Sequence, residues 1–373
     1  MRTGDSVNSE MEFDFIFLMT TLALLVMGTI MIFSASYFVS KELFGSSIHL
    51  MIKHLVHLLL GAILMAGIMK TDYRRFNSRT FILLLLISGI GALIGCFIPG
   101  IGLTGGHANR WIHISSFNFQ ASEAVKVALI FYLASYLAKK AKRVEDFSYG
   151  ILPALMIIGL CSLLIFIEPD FGTAATIIVW AIAVLFIAGM RWKHLLFLFL
   201  AGLPLVVLMM ILEPYRRARL LAFMNPWEDM QGIGYQIIQS MVAFANGGII
   251  GSGLGESTQK LFFLPAPHTD FILSVLGEEL GFIGLVVVLA LFGTWIWRGL
   301  SIAKATNDSF GFYLVIASVC LIGLQAIINM GVSMSLFPTT GIALPFFSYG
   351  GSTLVTTMLI SGIILSVSRR ARL

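Results

Sequence analysis

Long runs of apolar residues, each bounded by polar clusters or by proline and glycine, recur along almost the whole chain and decide what it can fold into. A helix satisfies its own backbone hydrogen bonds, so a run of about 20 apolar residues reads as a crossing of the bilayer core. Ten such runs occur, at 14–38, 49–69, 80–98, 121–138, 148–167, 171–190, 194–213, 270–297, 309–335 and 344–368. The first is too long for the core of a signal peptide and follows acidic residues, so it reads as a helix that stays in the protein. Composition agrees, with 58% hydrophobic and 12% charged residues, against roughly 25% charged in an ordinary soluble domain. A soluble enzyme, a nucleic-acid-binding protein and a secreted disulfide scaffold are excluded. The expected fold is an all-α polytopic membrane protein, one integral domain over residues 1–373. It has ten transmembrane helices and one large extracytoplasmic loop, 214–269, between the seventh and the eighth.

Charge orients the bundle. With the N-terminus inside, the inner segments hold sixteen of the 24 lysines and arginines, from Arg2 through Lys70, Arg74, Lys142 and Arg191 to Arg372. The outer loops keep six, namely Lys41, Arg110, Arg216, Arg217, Arg219 and Lys260. Basic residues collect on cytoplasmic loops, so both termini are expected in the cytoplasm, and the net charge of +5 reflects topology rather than an anionic partner. The three cysteines, Cys96, Cys161 and Cys320, sit in separate apolar runs without ligand spacing and read as buried thiols. His107, His113 and His268 share no ligand spacing either, which argues against zinc.

Ionisable groups at membrane depth are costly and need a reason. Ser122 reads as the N-cap of the fourth helix, with Glu123 in its first turn. Lys126 lies three residues on, one turn deeper on the same face, where a Glu–Lys pair can form. Asp270 begins the eighth helix, either as a carboxylate favoured by the helix dipole or as a chemical group. Glu278 and Glu279 follow about 12 Å deeper at the helical rise, so at least one points into a polar interior. With Asp170 at the head of the sixth helix, these residues imply several acids and one lysine converging on an outward-facing cavity. In the large loop, Pro214–Leu221 reads as a basic amphipathic stretch at the membrane surface, carrying Arg216 and Arg219. The glycines between Gly247 and Gly255 lack the strand–turn–helix context of a nucleotide motif and read as a tight, re-entrant backbone path.

Several blocks carry a resemblance. Gly253–Lys260 continues through Leu264-Pro265-Ala266-Pro267-His268-Thr269-Asp270-Phe271-Ile272 to Gly277–Gly284. Asn109-Arg110-Trp111-Ile112 goes with Gln120–Lys126, and Pro169–Ala174 follows. Phe337–Gly341 then goes with Leu344–Ser352. In this order the blocks closely resemble the SEDS family, the FtsW, RodA and SpoVE peptidoglycan glycosyltransferases. Gln259-Lys260 and Asn225-Pro226-Trp227 look more like the division and sporulation branch, and Ala121 departs from the family's usual proline.

The resemblance implies an enzyme that polymerises lipid II into glycan strands at the outer face of the bacterial cytoplasmic membrane, with the division septum as the expected place. It matches Asp270 to the family's essential acid, Glu123 and Lys126 to a polar pair of the central cavity, and Arg110 and Asp170 to further positions there. Gln259, Lys260, His268, Thr269, Ser348, Gly350, Gly351 and Ser352 fall within the quoted motifs and join Arg216 and Arg219 as candidate cavity residues. It also implies a growing lipid-linked glycan, a class B penicillin-binding protein and other division proteins as partners. The residues agree with this reading. No nucleotide sugar is available outside the cell, so a donor there carries its own activation, as a lipid-linked pyrophosphate does. The chemistry needs a base for the acceptor hydroxyl and positive charge for the departing pyrophosphate, from Lys126, Arg110, the Arg216–Arg219 cluster or a divalent cation, Mg or Mn, held by acids. A lipid flippase or other transporter is the alternative, disfavoured because the two halves show no paired interrupted helices. A non-catalytic division scaffold is a third reading.

Overall fold

Leucine, isoleucine, valine and phenylalanine runs with few backbone competitors make helices of almost every segment. The computed structural model describes residues 13–100, 102–105, 108–114 and 117–371; Arg2, His107 and Arg372 lie outside them. The first three helices are α1 (Phe15–Phe44), α2 (His49–Lys70) and α3 (Arg79–Gly95). After strands β1 (Gly102–Gly105), β2 (Ala108–Ile114) and β3 (Phe117–Gln120) come α4 (Ala121–Lys140), α5 (Leu152–Ile167), α6 (Phe171–Ile187) and α7 (Trp192–Leu212). The large loop contains α8 (Pro214–Met224) and α9 (Ile233–Gly247), and α10 (Ile272–Ala305), α11 (Ser309–Ser333) and α12 (Gly351–Ser368) complete the chain. Among the described residues seven helices are long and apolar enough to cross a membrane, and α3, α6 and α7 add shorter apolar stretches. The protein is a polytopic membrane protein.

In the centre, α11 packs against α4, α6, α10 and α12, while α12 also lies along α2. The two ends of the bundle are distinct. The backbone N–H of Asp14, just before α1, donates to the Ser368 hydroxyl at the end of α12 at 3.2 Å, and Arg370 pairs with Asp72 at 2.8 Å. The first and last helices therefore begin and end on one face. By contrast α7 has no buried residue among those described, although proline stands inside it at Pro204.

Four expectations change. The segment 99–120 is a small antiparallel sheet in the order β1-β2-β3, with Trp111 opposite Gln120; Trp111, Ile112, Phe117 and Phe119 supply the aromatic and β-branched content that favours strands. The last helix starts at Gly351 rather than 344, because the Ser348 hydroxyl accepts from Leu344 N at 2.7 Å and donates to Thr269 O at 2.7 Å, folding 344–350 back as a loop. Gln120, not Ser122, is the N-cap of α4, and the Ser122 hydroxyl finds no partner among the described residues. Finally, α10 is interrupted.

That interruption sits at Gly281, whose φ of 65° and ψ of −163° are far from helical. A break at this depth frees backbone groups that hydrocarbon cannot satisfy. The glycine-rich segment after α9 satisfies them: Ser252 N and Gly253 N donate to the carbonyls of Glu278 and Glu279 at 3.0 Å each, and Phe282 N and Ile283 N donate to Gly248 and Ile249 at 2.9 and 3.1 Å. A Cβ on Gly281 would stand 2.3 Å from Gly251 N, so the close approach of the two backbones requires glycine. The expected tight backbone path, held against the helices, is present.

Candidate active site

The functional side chains gather where β2, the α5–α6 turn, α8 and the head of α10 meet. A cavity of about 1070 Å³ there is lined by Arg110, Asp170, Arg216, Arg219 and Asp270, with Thr339 to Gly341 as one wall. Its other wall includes Val206 of the unpacked α7 and Glu213, the residue that follows that helix.

Each charged group is set by a local feature. Arg110 projects from β2, donates to Pro169 O and lies 3.9 Å from Asp170. Asp170 caps α6, accepting from Thr173 N at 3.2 Å, as its place at the helix head predicts. On α8, Arg219 donates to Thr339 O at 3.1 Å and to the Tyr215 hydroxyl at 2.6 Å. Arg216 lies over the rings of Phe166 and Phe171, at 4.7 and 5.4 Å.

Asp270 differs from its neighbours. It stands two residues before α10, whose N-cap is Phe271 without a side-chain bond; the capping role weighed for Asp270 is not the one it plays. Its main chain is held, since Asn329 donates to Asp270 O at 2.9 Å and to Ile342 O at 2.8 Å. Its carboxylate accepts no hydrogen bond among the described residues. Burial raises its pKa above the ordinary aspartate value, Arg219 and Arg110 oppose the rise, and Asp170 adds to it. A carboxyl so placed is a stronger proton acceptor than a free aspartate while keeping cations within electrostatic reach.

Glu123 and Lys126 form the expected pair, 2.7 Å apart and buried. Thr353 donates to the same Glu123 oxygen at 2.9 Å. The pair lines a smaller adjoining hollow of about 50 Å³ rather than the main cavity, and Gly341 borders both. The remaining candidates support the site from behind. Tyr349 N donates to His268 O at 2.8 Å, Ser348 holds Thr269, and Ser352 accepts from Gln120 N at 3.1 Å. Gly350 caps α12, and Gly351 is packed on the His57 ring. Burial lowers the pKa of His268. Gln259 and Lys260 are not brought to the cavity. Lys260 is buried against Glu279 at 2.8 Å and Ser34 at 2.9 Å, and Gln259 N donates to Glu278 at 3.2 Å.

Among the described residues no group of three or more histidine, cysteine, aspartate and glutamate side chains is arranged to hold a metal ion. Three carboxylates, Asp170, Glu213 and Asp270, line the main cavity together with Arg110, Arg216 and Arg219, and Asp170 lies beside Arg110.

With the geometry in hand, comparison with known proteins is direct. The family model for the cell cycle proteins FtsW, RodA and SpoVE matches residues 15–373. The chain belongs to this family. It is 42% identical over 361 residues to a probable peptidoglycan glycosyltransferase FtsW of Geobacter metallireducens, covering 97% of this chain and 96% of that one. It is 41% identical over 359 residues to stage V sporulation protein E of Bacillus subtilis, covering 96% and 98%. A chain of a solved peptidoglycan synthase complex that coordinates polymerization and crosslinking superposes with a TM-score of 0.77 at 26% identity, covering 96% of this chain and 98% of that one. The rod shape determining protein RodA of Thermus thermophilus shares the fold, with a TM-score of 0.66 at 24% identity and coverage of 97% and 98%.

Two residues of this FtsW/RodA/SpoVE chain escaped sequence reasoning. Asn329 lies in an apolar run, and its amide was the available signal, since a polar side chain there needs a buried partner. Glu168 sits in the α5–α6 turn, buried, with its Oε1 unpartnered. Burial pushes its pKa up to about 8; Asp170 adds to this, while Cys96 and Arg110 oppose it.

Proposed function

We propose that this chain polymerises lipid II into glycan strands at the outer face of the cytoplasmic membrane during cell division. The observation that carries the proposal is the Asp270 carboxylate, without a hydrogen bond among the described residues, in a cavity that Arg219 and Arg110 also line. The acceptor's 4-hydroxyl is deprotonated by Asp270 as its oxygen attacks the anomeric carbon of the donor. The C–O bond to the lipid pyrophosphate breaks with inversion, the proton stays on Asp270, and Arg219 and Arg110 stabilise the departing charge. The side of the cavity at α7 admits the polyprenyl chains, and Arg216 on the amphipathic α8 meets phosphates at the surface.

The ten-span reading belongs to this proposal: α1 to α7 and α10 to α12 cross the membrane, both termini lie in the cytoplasm, and 214–269 is the extracytoplasmic loop of a single integral domain. Sixteen basic residues on one side support it, as does the meeting of Asp14 with Ser368. A class B penicillin-binding protein is the expected partner and the septum the expected location.

The test is lipid II polymerisation by purified protein with its cognate partner, Asp270→Ala against wild type. Wild-type product lengths from the variant would remove Asp270 from its role. The interrupted α10 is a feature that transporters share, which keeps a flippase as a second reading. Reconstituted vesicles separate the two, because a flippase moves lipid II without lengthening glycan.

A further inference from the structure

At the opposite end of the bundle lies a cavity of about 680 Å³ that the chemistry above does not use, between the α4–α5 connection and the start of α7. Lys142, Arg143, Arg191 and Lys193 line it together with Glu145 and Asp146. Both acids are engaged. Glu145 pairs with Arg191, and Asp146 accepts from Ser148 N and Tyr149 N at 2.9 and 3.2 Å. Lys142, Arg143 and Lys193 make no ion pair among the described residues, and four cations against two carboxylates leave the hollow with an excess of two positive charges.

Topology accounts for basic residues at this end but not for what surrounds them. Tyr149 lines the hollow and Trp192 lies between the lining residues Arg191 and Lys193, 70% and 72% exposed, the aromatic types that settle at headgroup level. The helices rising from the rim leave hydrocarbon uncovered, Leu152 and Met156 on α5 and Leu196 and Leu200 on α7. The inner end of α7 is fixed there by Phe147, whose ring meets Phe197 at 5.3 Å and His194 at 5.6 Å. A cationic hollow, an aromatic rim and a bare apolar wall follow one another in the order of a phospholipid's own parts.

We propose that this hollow binds the headgroup of an anionic phospholipid of the inner leaflet, such as phosphatidylglycerol. The phosphodiester lies against Lys142, Arg143 and Lys193, and the acyl chains run along α5 and α7. The proposal rests on the inward orientation of this end given above. A soluble acidic peptide or free phosphate would satisfy the cations but not the uncovered hydrocarbon, so the lipid is the occupant that uses every part of the site.

Native mass spectrometry of the full chain in micelles doped with phosphatidylglycerol or phosphatidylcholine tests this. Wild type retains phosphatidylglycerol preferentially, and millimolar inorganic phosphate or polyglutamate does not displace it. Replacing Lys142, Arg143 and Lys193 by glutamine weakens retention about a hundredfold, at about fivefold per basic side chain, whereas Lys70→Gln with Arg75→Gln at the same end leaves it unchanged. Equal retention by the triple variant, no preference over phosphatidylcholine, an equal loss in the control, or ready displacement by phosphate or polyglutamate overturns the site. A second measurement leaves the cations in place: brominated phosphatidylglycerol quenches tryptophan fluorescence more than brominated phosphatidylcholine, and Trp192→Phe abolishes the excess. Absence of that excess also overturns the proposal. Neither readout involves glycan synthesis, so an inactive polymerase that retains the lipid leaves this site standing.

Discussion

Asp270 and the Glu278–Glu279 pair stand eight residues apart at the head of one helix, yet they live in opposite surroundings. Glu278 accepts from Ser257, from Thr258 Oγ1 at 2.8 Å and from Asn246 at 3.3 Å, and Glu279 is closed by Lys260 and Ser34. The Glu278 oxygens are taken up by donors of the fold, and Glu279 is held through Oε1 while its Oε2 has no partner among the described residues. Asp270 is half-buried without such donors, beside cations that oppose the rise in its pKa. An acid paired with a lysine or ringed by donors holds the fold together; a carboxylate left without them at a cavity is the one available for chemistry.

The sharpest way to break this contrast is to exchange the two kinds of acid. Asp270→Asn preserves shape and removes the base, so polymerisation by the purified protein falls by about 10²–10⁴-fold while thermal unfolding is unchanged. Lys260→Met does the reverse. It strands Glu279 at a cost of about 3–5 kcal/mol, read as a lower unfolding temperature, and adding Glu279→Leu recovers much of the loss. Arg219→Ala tests whether the cations matter to the leaving group, with an expected loss of about 10²-fold in rate. The acid limb of the pH–rate profile then sharpens the comparison. Because the pKa of Asp270 is raised, activity falls away with decreasing pH at a higher pH than a free aspartate would give. The smallest effect belongs to Glu168. Its folded-state pKa lies above the ordinary 4.5, at about 8, so the folded chain binds the extra proton and loses stability as pH rises between those values. Glu168→Gln flattens that slope, as thermal unfolding measured across the same range would reveal.

Much of this arrangement was legible beforehand. Helix positions follow from apolar runs, and the Glu123–Lys126 pair and the Asp170 cap follow from spacing and position along a helix. The sheet carrying Arg110 did not follow, because seven-residue and shorter strands in a loop yield little periodicity. Nor did the fate of Gln259 and Lys260, since a motif shows which residues travel together and not whether they face a substrate or one another. The break at Gly281 was hidden for a related reason: a glycine in an apolar run shows what it permits, and only the partner strand of backbone from 248 to 253 shows what is done with it.

That break has a mechanical consequence. The upper piece of α10 is secured sideways, by edge bonding to the glycine-rich segment, as well as through its continuity with the long shaft below. Rocking or tilting of the shaft can then be absorbed at the joint, leaving Asp270 stationary relative to the arginines of its cavity while the rest of the span accommodates its neighbours.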